Sequence, residues 1–302
     1  MHSTDFKSQL DVFSNQVVVT PQFEHAHNAL CKMLLFGGTP GGGRFMLLTG
    51  ESRTGKTHAV RLFAYNHPAS FIDGSKHEPV VHLELQGKAT ESGTATQMLA
   101  ALSDLKPGQG TVEQKHARVV KHIRTLGVRL LIVDEAHHLV ERKPGQQNRL
   151  YAATESFKYI SNVTGCSMVF VGIPAIESIV EVNDQFAQRT THCIRITEYD
   201  STDPDDLEDY GDIVREMCGM LPIKVDAQLL DDAVMPEWHL ATRGRIGNLS
   251  ELLRASAVYA FYAGQNVIDL DALRIAYRDL GVANITGRDF FKQKKSKKAV
   301  KC

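Results

Sequence analysis

The segment that most constrains this chain is Gly-Glu-Ser-Arg-Thr-Gly-Lys-Thr at residues 50–57, a full match to the pattern G-x-x-x-x-G-K-[ST]. An apolar run, residues 45–48, precedes it, and a stretch of helical character follows from Lys56 to about Asn66. In this context the pattern binds phosphate, because backbone N–H groups of the turn and the helix N-terminus face the anion. The alternative, a chance glycine turn, is disfavoured by the flanking strand and helix.

The residues of this segment predict an ATP site with Mg²⁺ as its metal. The two glycines let the backbone turn inward, the Lys56 ammonium suits the β- and γ-phosphates, and the Thr57 hydroxyl suits Mg²⁺. We expect nucleotide contacts from the whole loop and the residue after it: Gly50, Glu51, Ser52, Arg53, Thr54, Gly55, Lys56, Thr57 and His58.

A second apolar run, residues 130–133, ends in two acids, Asp134 and Glu135. A buried parallel strand has this pattern, and ligands bind beyond the carboxyl ends of such strands. Asp134 is therefore predicted to hold Mg²⁺ together with Thr57, and Glu135 to activate the attacking water as general base. The alternative is that the two acids have no catalytic role and only mark the end of a strand at a helix N-terminus, where acids are favoured.

The order of elements predicts an α/β fold followed by helices. Five strands alternate with helical stretches, which indicates a parallel sheet covered on both faces. We predict strands at 45–49, 80–85, 130–133, 167–171 and 193–196, and helices at 22–36, 56–66, 94–103, 112–126, 148–163 and 175–188. After Thr197 the strand signal ends, and helices are predicted at 205–219, 226–235, 247–263 and 269–280.

These elements divide the chain into an N-terminal segment (1–44), an α/β nucleotide-binding core (45–200), a helical lid (201–283) and a basic tail (284–302). The net charge of −1 provides no overall attraction for nucleic acid. Residues 198–212 nevertheless hold eight acids and no Lys or Arg, whereas residues 284–301 hold seven basic residues and one acid. The Lys-rich tail is open to three roles: DNA affinity, solubility or docking of a partner.

Composition argues for a cytoplasmic location and against a membrane or zinc role. No stretch approaches 18 consecutive apolar residues, and the first residues lack the features of a signal peptide. The five cysteines are scattered without C-x-x-C spacing, as expected of free thiols in a reducing compartment.

Several stretches resemble AAA+ ATPases, and among them the transposition regulators of the TniB/TnsC type, relatives of helicase-loader ATPases. The similar stretches are residues 110–113 with 127–139, residues 169–174, and residues 244–255. The resemblance covers about residues 15–283 and implies a P-loop AAA+ core with a five-stranded parallel sheet and a C-terminal helical lid. It also implies a bacterial ATPase that oligomerises as a ring or helical filament on double-stranded DNA. Such a protein links a target-selection protein or CRISPR effector complex to a DDE transposase.

The resemblance assigns further residues. Arg189 corresponds to an arginine finger that acts on the nucleotide of a neighbouring subunit, although a cation at a helix C-terminus is also favoured by itself. The lid offers Arg243 and Arg245 as nucleotide-sensing arginines, and we assign the role to Arg245. Gly172-Ile173-Pro174 stands where many relatives have a polar sensor residue, which predicts slow hydrolysis and a switch rather than a motor.

DNA contacts are expected from two loops, at Lys88 and at Lys106, Gln109 and Thr111. A Thr hydroxyl or a helix N-terminus can hold a phosphate without reading sequence. Thr111 also fits an N-cap, with Gln114 completing a capping box, and both roles are compatible. Two other functions share the ATP chemistry: a helicase loader or replication initiator, and a protein-interaction ATPase without a DNA role.

Overall fold

The computed structural model describes residues 3–39, 41–87, 90–140, 147–182 and 184–280. The strands are β1 (Phe45–Thr49), β2 (Ser70–Ile72), β3 (Ser75–His77), β4 (Val80–Glu84), β5 (Leu130–Asp134), β6 (Ser167–Gly172), β7 (Thr190–Arg195), β8 (Lys224–Val225) and β9 (Val267–Ile268). The α-helices are α1 (Ser3–Asn15), α2 (Pro21–Phe36), α3 (Lys56–Tyr65), α4 (Glu91–Ala101), α5 (Val112–Leu126), α6 (Gln147–Thr164), α7 (Ser178–Val182), α8 (Asp184–Arg189), α9 (Pro204–Gly219), α10 (Met235–Thr242), α11 (Ile246–Tyr262) and α12 (Leu270–Asp279). Turns of 3-10 helix lie at Ala136–Leu139, Pro174–Glu177, Ala227–Leu230 and Asp232–Val234.

The chain divides into two compact units, one of residues 21–197 and one that joins residues 1–20 to residues 198–302. The first is an α/β unit. Its five-stranded sheet has the order β4-β5-β6-β1-β7, and all four strand pairs are parallel. The predicted α/β fold with a five-stranded parallel sheet is thereby confirmed.

Alternating side chains on the central strands explain the three layers of this unit. Phe45 and Leu47 of β1 belong to one buried apolar cluster, whereas Met46 and Leu48 belong to another. Successive side chains of a strand point to opposite faces, so each face of the sheet has its own core. Residues of α4, α5 and α6 complete the first cluster, and residues of α2 and α3 complete the second.

The second unit is mainly helical and holds α1 together with α9–α12. Phe6, Leu10 and Phe13 of α1 are buried in its core, and the Phe6 ring stacks on Phe261 with centroids 4.1 Å apart. The indole of Trp238 is fully buried in the same core and donates a hydrogen bond to the Leu229 carbonyl (2.8 Å).

The structure differs from the sequence expectations at several points. The expected N-terminal segment 1–44 is shared between the two units, because α1 buries its apolar side chains within the helical unit. The expected helix 175–188 is instead a 3-10 turn that begins at Pro174, followed by α7 and α8. The region 226–235 holds two 3-10 turns, and Pro236 lies in the first turn of α10. The β2–β3 hairpin and the short parallel pair β8–β9 were not predicted.

Candidate nucleotide-binding site

The phosphate-binding pattern forms a turn between β1 and α3, at the carboxyl edge of the sheet. Gly50 follows β1 with φ of 156°, and Gly55 caps α3 with φ of 103°. Both angles fall in a region that favours glycine. At Gly50 a Cβ atom would lie 2.1 Å from the carbonyl oxygen of Ile196, so the loop and the chain after β7 require a glycine there.

The Lys56 side chain is buried inside this turn. Its Nζ donates hydrogen bonds to the carbonyl oxygens of Gly50 (2.8 Å) and Glu51 (2.6 Å) and lies 3.5 Å from Thr54 Oγ1. Thr54 Oγ1 in turn donates to the Glu51 carbonyl (3.0 Å). Gly50, Glu51 and Thr54 thus hold the ammonium within the turn, which is the type of turn that binds phosphate.

The remaining predicted loop residues lie around this turn. Arg53 adopts φ of 70°, Ser52 lies between it and Glu51, and His58 is on the first turn of α3.

The structure brings the predicted metal ligands together. Thr57 Oγ1, on the first turn of α3, lies 3.4 Å from Asp134 Oδ1 at the end of β5. Asp134 Oδ1 also accepts the backbone N–H of Glu135 (2.9 Å). Mg²⁺ is usually bound by one or two protein oxygens, with phosphate and water oxygens completing the octahedron. The paired hydroxyl and carboxylate fit that requirement, so Thr57 and Asp134 are the residues that would hold Mg²⁺ with ATP.

Asp134 has a partner that sequence reasoning missed, His82 on the neighbouring strand β4. His82 Nε2 lies 3.4 Å from Asp134 Oδ2. Burial acts to raise the pKa of Asp134, but hydrogen bonds from His82, from the Glu135 backbone and from Thr57 outweigh it and hold that pKa below its ordinary value. Asp134 is therefore a carboxylate at neutral pH, as a metal ligand must be.

Glu135, the predicted general base, is the first residue beyond β5. It adopts φ of 54°, an uncommon conformation for a residue with a side chain, and its carboxylate is about two-fifths exposed. Glu135 Oε2 lies 3.0 Å from Nδ1 of His137, a second partner missed from the sequence. Glu135 thus follows the predicted metal ligand Asp134 directly in the chain, and its carboxylate is partly exposed.

A third group missed from the sequence is Glu177, which follows the Gly172-Ile173-Pro174 segment in the chain. Glu177, in the 3-10 turn after β6, accepts hydrogen bonds from Thr49 Oγ1 (2.9 Å) and Arg195 Nε (2.8 Å), and pairs with the Arg195 Nη2 atom. The hydrogen bond from Arg195 outweighs burial and lowers the pKa of Glu177. Because Thr49 immediately precedes Gly50, this ion pair lies next to the phosphate loop.

Arg189 lies far from the phosphate loop of its own chain. It ends α8, directly before β7, and Phe45 at the start of β1 pairs with Thr190. Arg189 is therefore at the amino edge of the sheet, whereas the loop lies at the carboxyl edge. Its Nη1 atom approaches the Gly43 carbonyl at 3.5 Å.

The two candidate lid arginines belong to the helical unit. Arg245 precedes α11, and its guanidinium pairs with Glu198, with Nε and Nη2 each 2.7 Å from Oε2. Arg243 is the C-cap residue directly after α10 and has a left-handed conformation with φ of 59°. The assignment of nucleotide sensing to Arg245 stays a prediction.

Three of the four candidate DNA contacts lie on one loop. Lys106 and Gln109 are exposed between α4 and α5, and Thr111 caps α5; Lys88 lies outside the described residues. Thr111 Oγ1 accepts the Gln114 N–H (3.3 Å), and Gln114 Oε1 accepts the Thr111 N–H (3.0 Å). The capping box is therefore confirmed, while the DNA contacts stay predictions.

Within the described ranges, no helix has the length and apolar character needed to cross a bilayer. The basic tail, residues 284–302, lies outside those ranges.

Comparisons with known proteins concern the family and the fold of the chain. The family model described as "Bacterial TniB protein" matches residues 14–196, more than half of the chain. No curated protein matches the chain.

Several solved structures have a similar fold. The Aeropyrum pernix Orc1 protein in complex with DNA is 20% identical, with a TM-score of 0.61 over 87% of this chain and 66% of that one. Cdc6p from Pyrobaculum aerophilum is 16% identical, with a TM-score of 0.62 over 89% and 70%. The Drosophila ORC bound to DNA is 16% identical, with a TM-score of 0.52 over 95% and 70%. The chain spans about two thirds of the length of these structures. On its family match, its sheet order and its phosphate loop, the chain belongs to the TniB family and is an AAA+ ATPase.

Proposed function

We propose that this chain is an ATP-dependent regulator that oligomerises on double-stranded target DNA and links a target-selection complex to a DDE transposase. The observation that carries the proposal is the placement of Arg189 at the edge of the sheet opposite the phosphate loop. An arginine at that position serves a nucleotide only on a neighbouring subunit. ATP bound between subunits then makes assembly depend on nucleotide.

The chemistry follows from the residues of the site. Lys56 and the loop N–H groups bind the phosphates, Thr57 and Asp134 hold Mg²⁺, and Glu135 accepts a proton from the attacking water. When bound, Mg²⁺ neutralises charge on the β- and γ-phosphates. Arg189 of one subunit stabilises the charge that develops on the γ-phosphate of the next.

The DNA-facing surface is proposed where two helices begin side by side. Lys115, in the first turns of α5, donates from Nζ to Ser92 Oγ and Thr96 Oγ1 of α4, each at 2.9 Å. The N-terminal ends of α4 and α5 are therefore neighbours. Free N–H groups at helix N-termini favour phosphate, and Thr111 caps one of these ends. Lys106 and Gln109 extend this surface in the proposal, and Lys88, which lies outside the described residues, stays a proposed DNA contact from the sequence alone.

Fluorescence anisotropy of a labelled duplex tests the proposal. We expect the wild type to retain the duplex with a non-hydrolysable ATP analogue, to release it without nucleotide, and to bind more weakly as salt increases. Lys56→Ala should bind neither nucleotide nor duplex. If both proteins bound the duplex equally well with and without nucleotide, the proposal would be overturned. If neither protein bound the duplex, a protein-interaction ATPase without a DNA role would be the better explanation.

A helicase loader or replication initiator remains the alternative, because its ATP chemistry would use the same residues. The two functions differ in partner. Immobilised protein, assembled on duplex with the ATP analogue, should retain purified DDE transposase and should not retain a replicative helicase. The reverse result would establish the alternative.

Slow turnover is part of the proposed switch role. The Glu177 carboxylate is committed to Thr49 and Arg195, and Ile173 provides no polar group. We expect steady-state hydrolysis well below the typical enzyme value of about 10 s⁻¹. Turnover well above that value would contradict a switch.

A further inference from the structure

The loop between α4 and α5 is held in one conformation by polar contacts. Asp104 Oδ1 accepts the backbone N–H of Lys106 (2.8 Å), and Asp104 Oδ2 lies 2.9 Å from His122 Nε2. Ser103 and Gly110, at the two ends of the loop, adopt φ of 61° and 94°. The hydrogen bonds that Asp104 accepts from the Lys106 backbone and the His122 side chain also lower the pKa of Asp104.

Arg118 of α5 fixes the outer part of the same loop. Its Nη1 donates to the Lys106 carbonyl (3.2 Å) and its Nη2 donates to the Gln109 carbonyl (2.9 Å). Nη1 also lies 3.6 Å from Asp104 Oδ1. A loop fixed from the side of α5 at several points loses its conformational entropy on folding rather than on binding a partner.

This fixed loop presents an apolar side chain to solvent. Leu105 is 97% exposed, the highest value among the large apolar side chains of the described residues. A leucine left in water forgoes the stabilisation that burial would provide. Its neighbours in sequence, Asp104 and Lys106, are the residues through which the loop is anchored.

Basic residues lie next to Leu105 in the chain and on the helix that anchors its loop. Lys106 is exposed beside it, and Lys121 and the partly exposed Arg118 lie on the outward side of α5. The acid nearest in sequence, Asp104, is turned towards His122 and Arg118. The groove of a nucleic-acid duplex lies between two rows of phosphates, which attract cations, and its base steps can accept an apolar side chain. An apolar loop tip flanked by cations therefore fits a duplex groove better than an apolar protein surface.

We propose that Leu105 is a wedge that enters a groove of the bound duplex and partly unstacks a base step, while Lys106 and the basic side of α5 lie along the phosphates. The proposal rests on the DNA binding proposed above and adds DNA distortion to it. Leucine is among the side chains that distort DNA by insertion between base steps.

A duplex that contains 2-aminopurine at several positions tests the wedge, because the fluorescence of this base rises when it unstacks. We expect the wild type with the ATP analogue to raise the fluorescence. Leu105→Ala should lose most of that rise, with a decrease in duplex affinity of about tenfold or less. Leu105→Met should retain the rise, because methionine supplies an apolar side chain of similar length.

The matched control is Phe71→Ala, which removes another exposed apolar side chain, on the β2–β3 hairpin. It should leave both affinity and fluorescence unchanged. The wedge is wrong if the wild type binds the duplex without a fluorescence rise, or if Leu105→Ala keeps the rise. It is also wrong if Leu105→Ala prevents nucleotide-dependent assembly without DNA, since Leu105 would then lie between subunits. Failure of the wild type to bind any duplex would instead refute the proposed function.

Discussion

Arginine 189 provides the sharpest prediction about assembly, because its distance from its own phosphate loop follows from the strand register. Phe45 pairs with Thr190, and β1 runs from Phe45 to Thr49 before the loop begins. Five residues of strand, at about 3.3 Å each, place the Phe45–Thr190 pair about 16 Å from the start of the phosphate loop. With bonds of about 1.5 Å, an arginine side chain reaches only about 7 Å. Arg189 therefore cannot act on the nucleotide of its own chain.

We expect Arg189→Ala to bind ATP normally but to lose about 10³-fold or more of its assembled ATPase rate, as for other arginine fingers. Stability should fall by about 1 kcal/mol or less, because the contact of Arg189 with the Gly43 carbonyl is long (3.5 Å) and the helix that Arg189 ends has six residues. If Arg189→Ala unfolds instead, its role is to cap α8.

Mixed assemblies separate action on a neighbour from action within one chain. A Glu135→Gln subunit lacks the general base but supplies Arg189 to its neighbour. An Arg189→Ala subunit has the general base but supplies no arginine finger to its neighbour. Each preparation alone should be nearly inactive. In an equal random mixture, about one interface in four joins a site with Glu135 to a neighbour with Arg189, so about a quarter of wild-type activity should return. A mixture no more active than its components would refute the reasoning.

Three further predictions concern the site. Gly50→Ala should lower the free energy of unfolding in urea by clearly more than Gly74→Ala, because its Cβ would lie 2.1 Å from the Ile196 carbonyl whereas Gly74 has open space; equal losses would contradict the close approach. His137→Ala removes the side chain that lies 3.0 Å from the Glu135 carboxylate. We expect kcat to change while ATP affinity does not, and His137→Gln to restore part of kcat. A change in ATP affinity alone would show that His137 does not position the base. Arg195 lowers the pKa of Glu177, so their pairing stabilises the fold at pH values above the ordinary glutamate pKa. This stabilisation is lost as the pH falls through the lowered pKa. Glu177→Gln should therefore make the free energy of unfolding less dependent on pH below about pH 5. If the free energy of unfolding of the wild type and of Glu177→Gln changed with pH in the same way, Glu177 would not be the source of this pH dependence.

The parts of the site that the sequence predicted are those encoded within a few consecutive residues. The loop 50–57 and the Asp134–Glu135 pair each consist of a strand end and the residues directly after it, so their pattern is local. The five strands were predictable for the same reason, since each is a short apolar run between turns or helices. The boundaries of α5 matched the expected ones, and capping residues mark both of its ends, Thr111 and Gly127.

The contacts missed from the sequence depend on strands that are distant along the chain. His82 meets Asp134 only because β4 lies beside β5, and Glu177 meets Thr49 only because β6 lies beside β1. Strand order cannot be obtained from periodicity. For α1 a signal was present, since Phe6, Leu10 and Phe13 recur at helical spacing. Its association with the helical unit depends on packing against residues such as Phe261.

The central claim is that ATP on the phosphate loop joins subunits into an oligomer on double-stranded DNA. Sedimentation velocity of the purified protein, with Mg²⁺, a non-hydrolysable ATP analogue and duplex DNA in excess, tests it most directly. The account predicts a large complex that contains both protein and DNA, absent without nucleotide and absent for Lys56→Ala. Wild-type protein that sediments as a monomer under these conditions would contradict it.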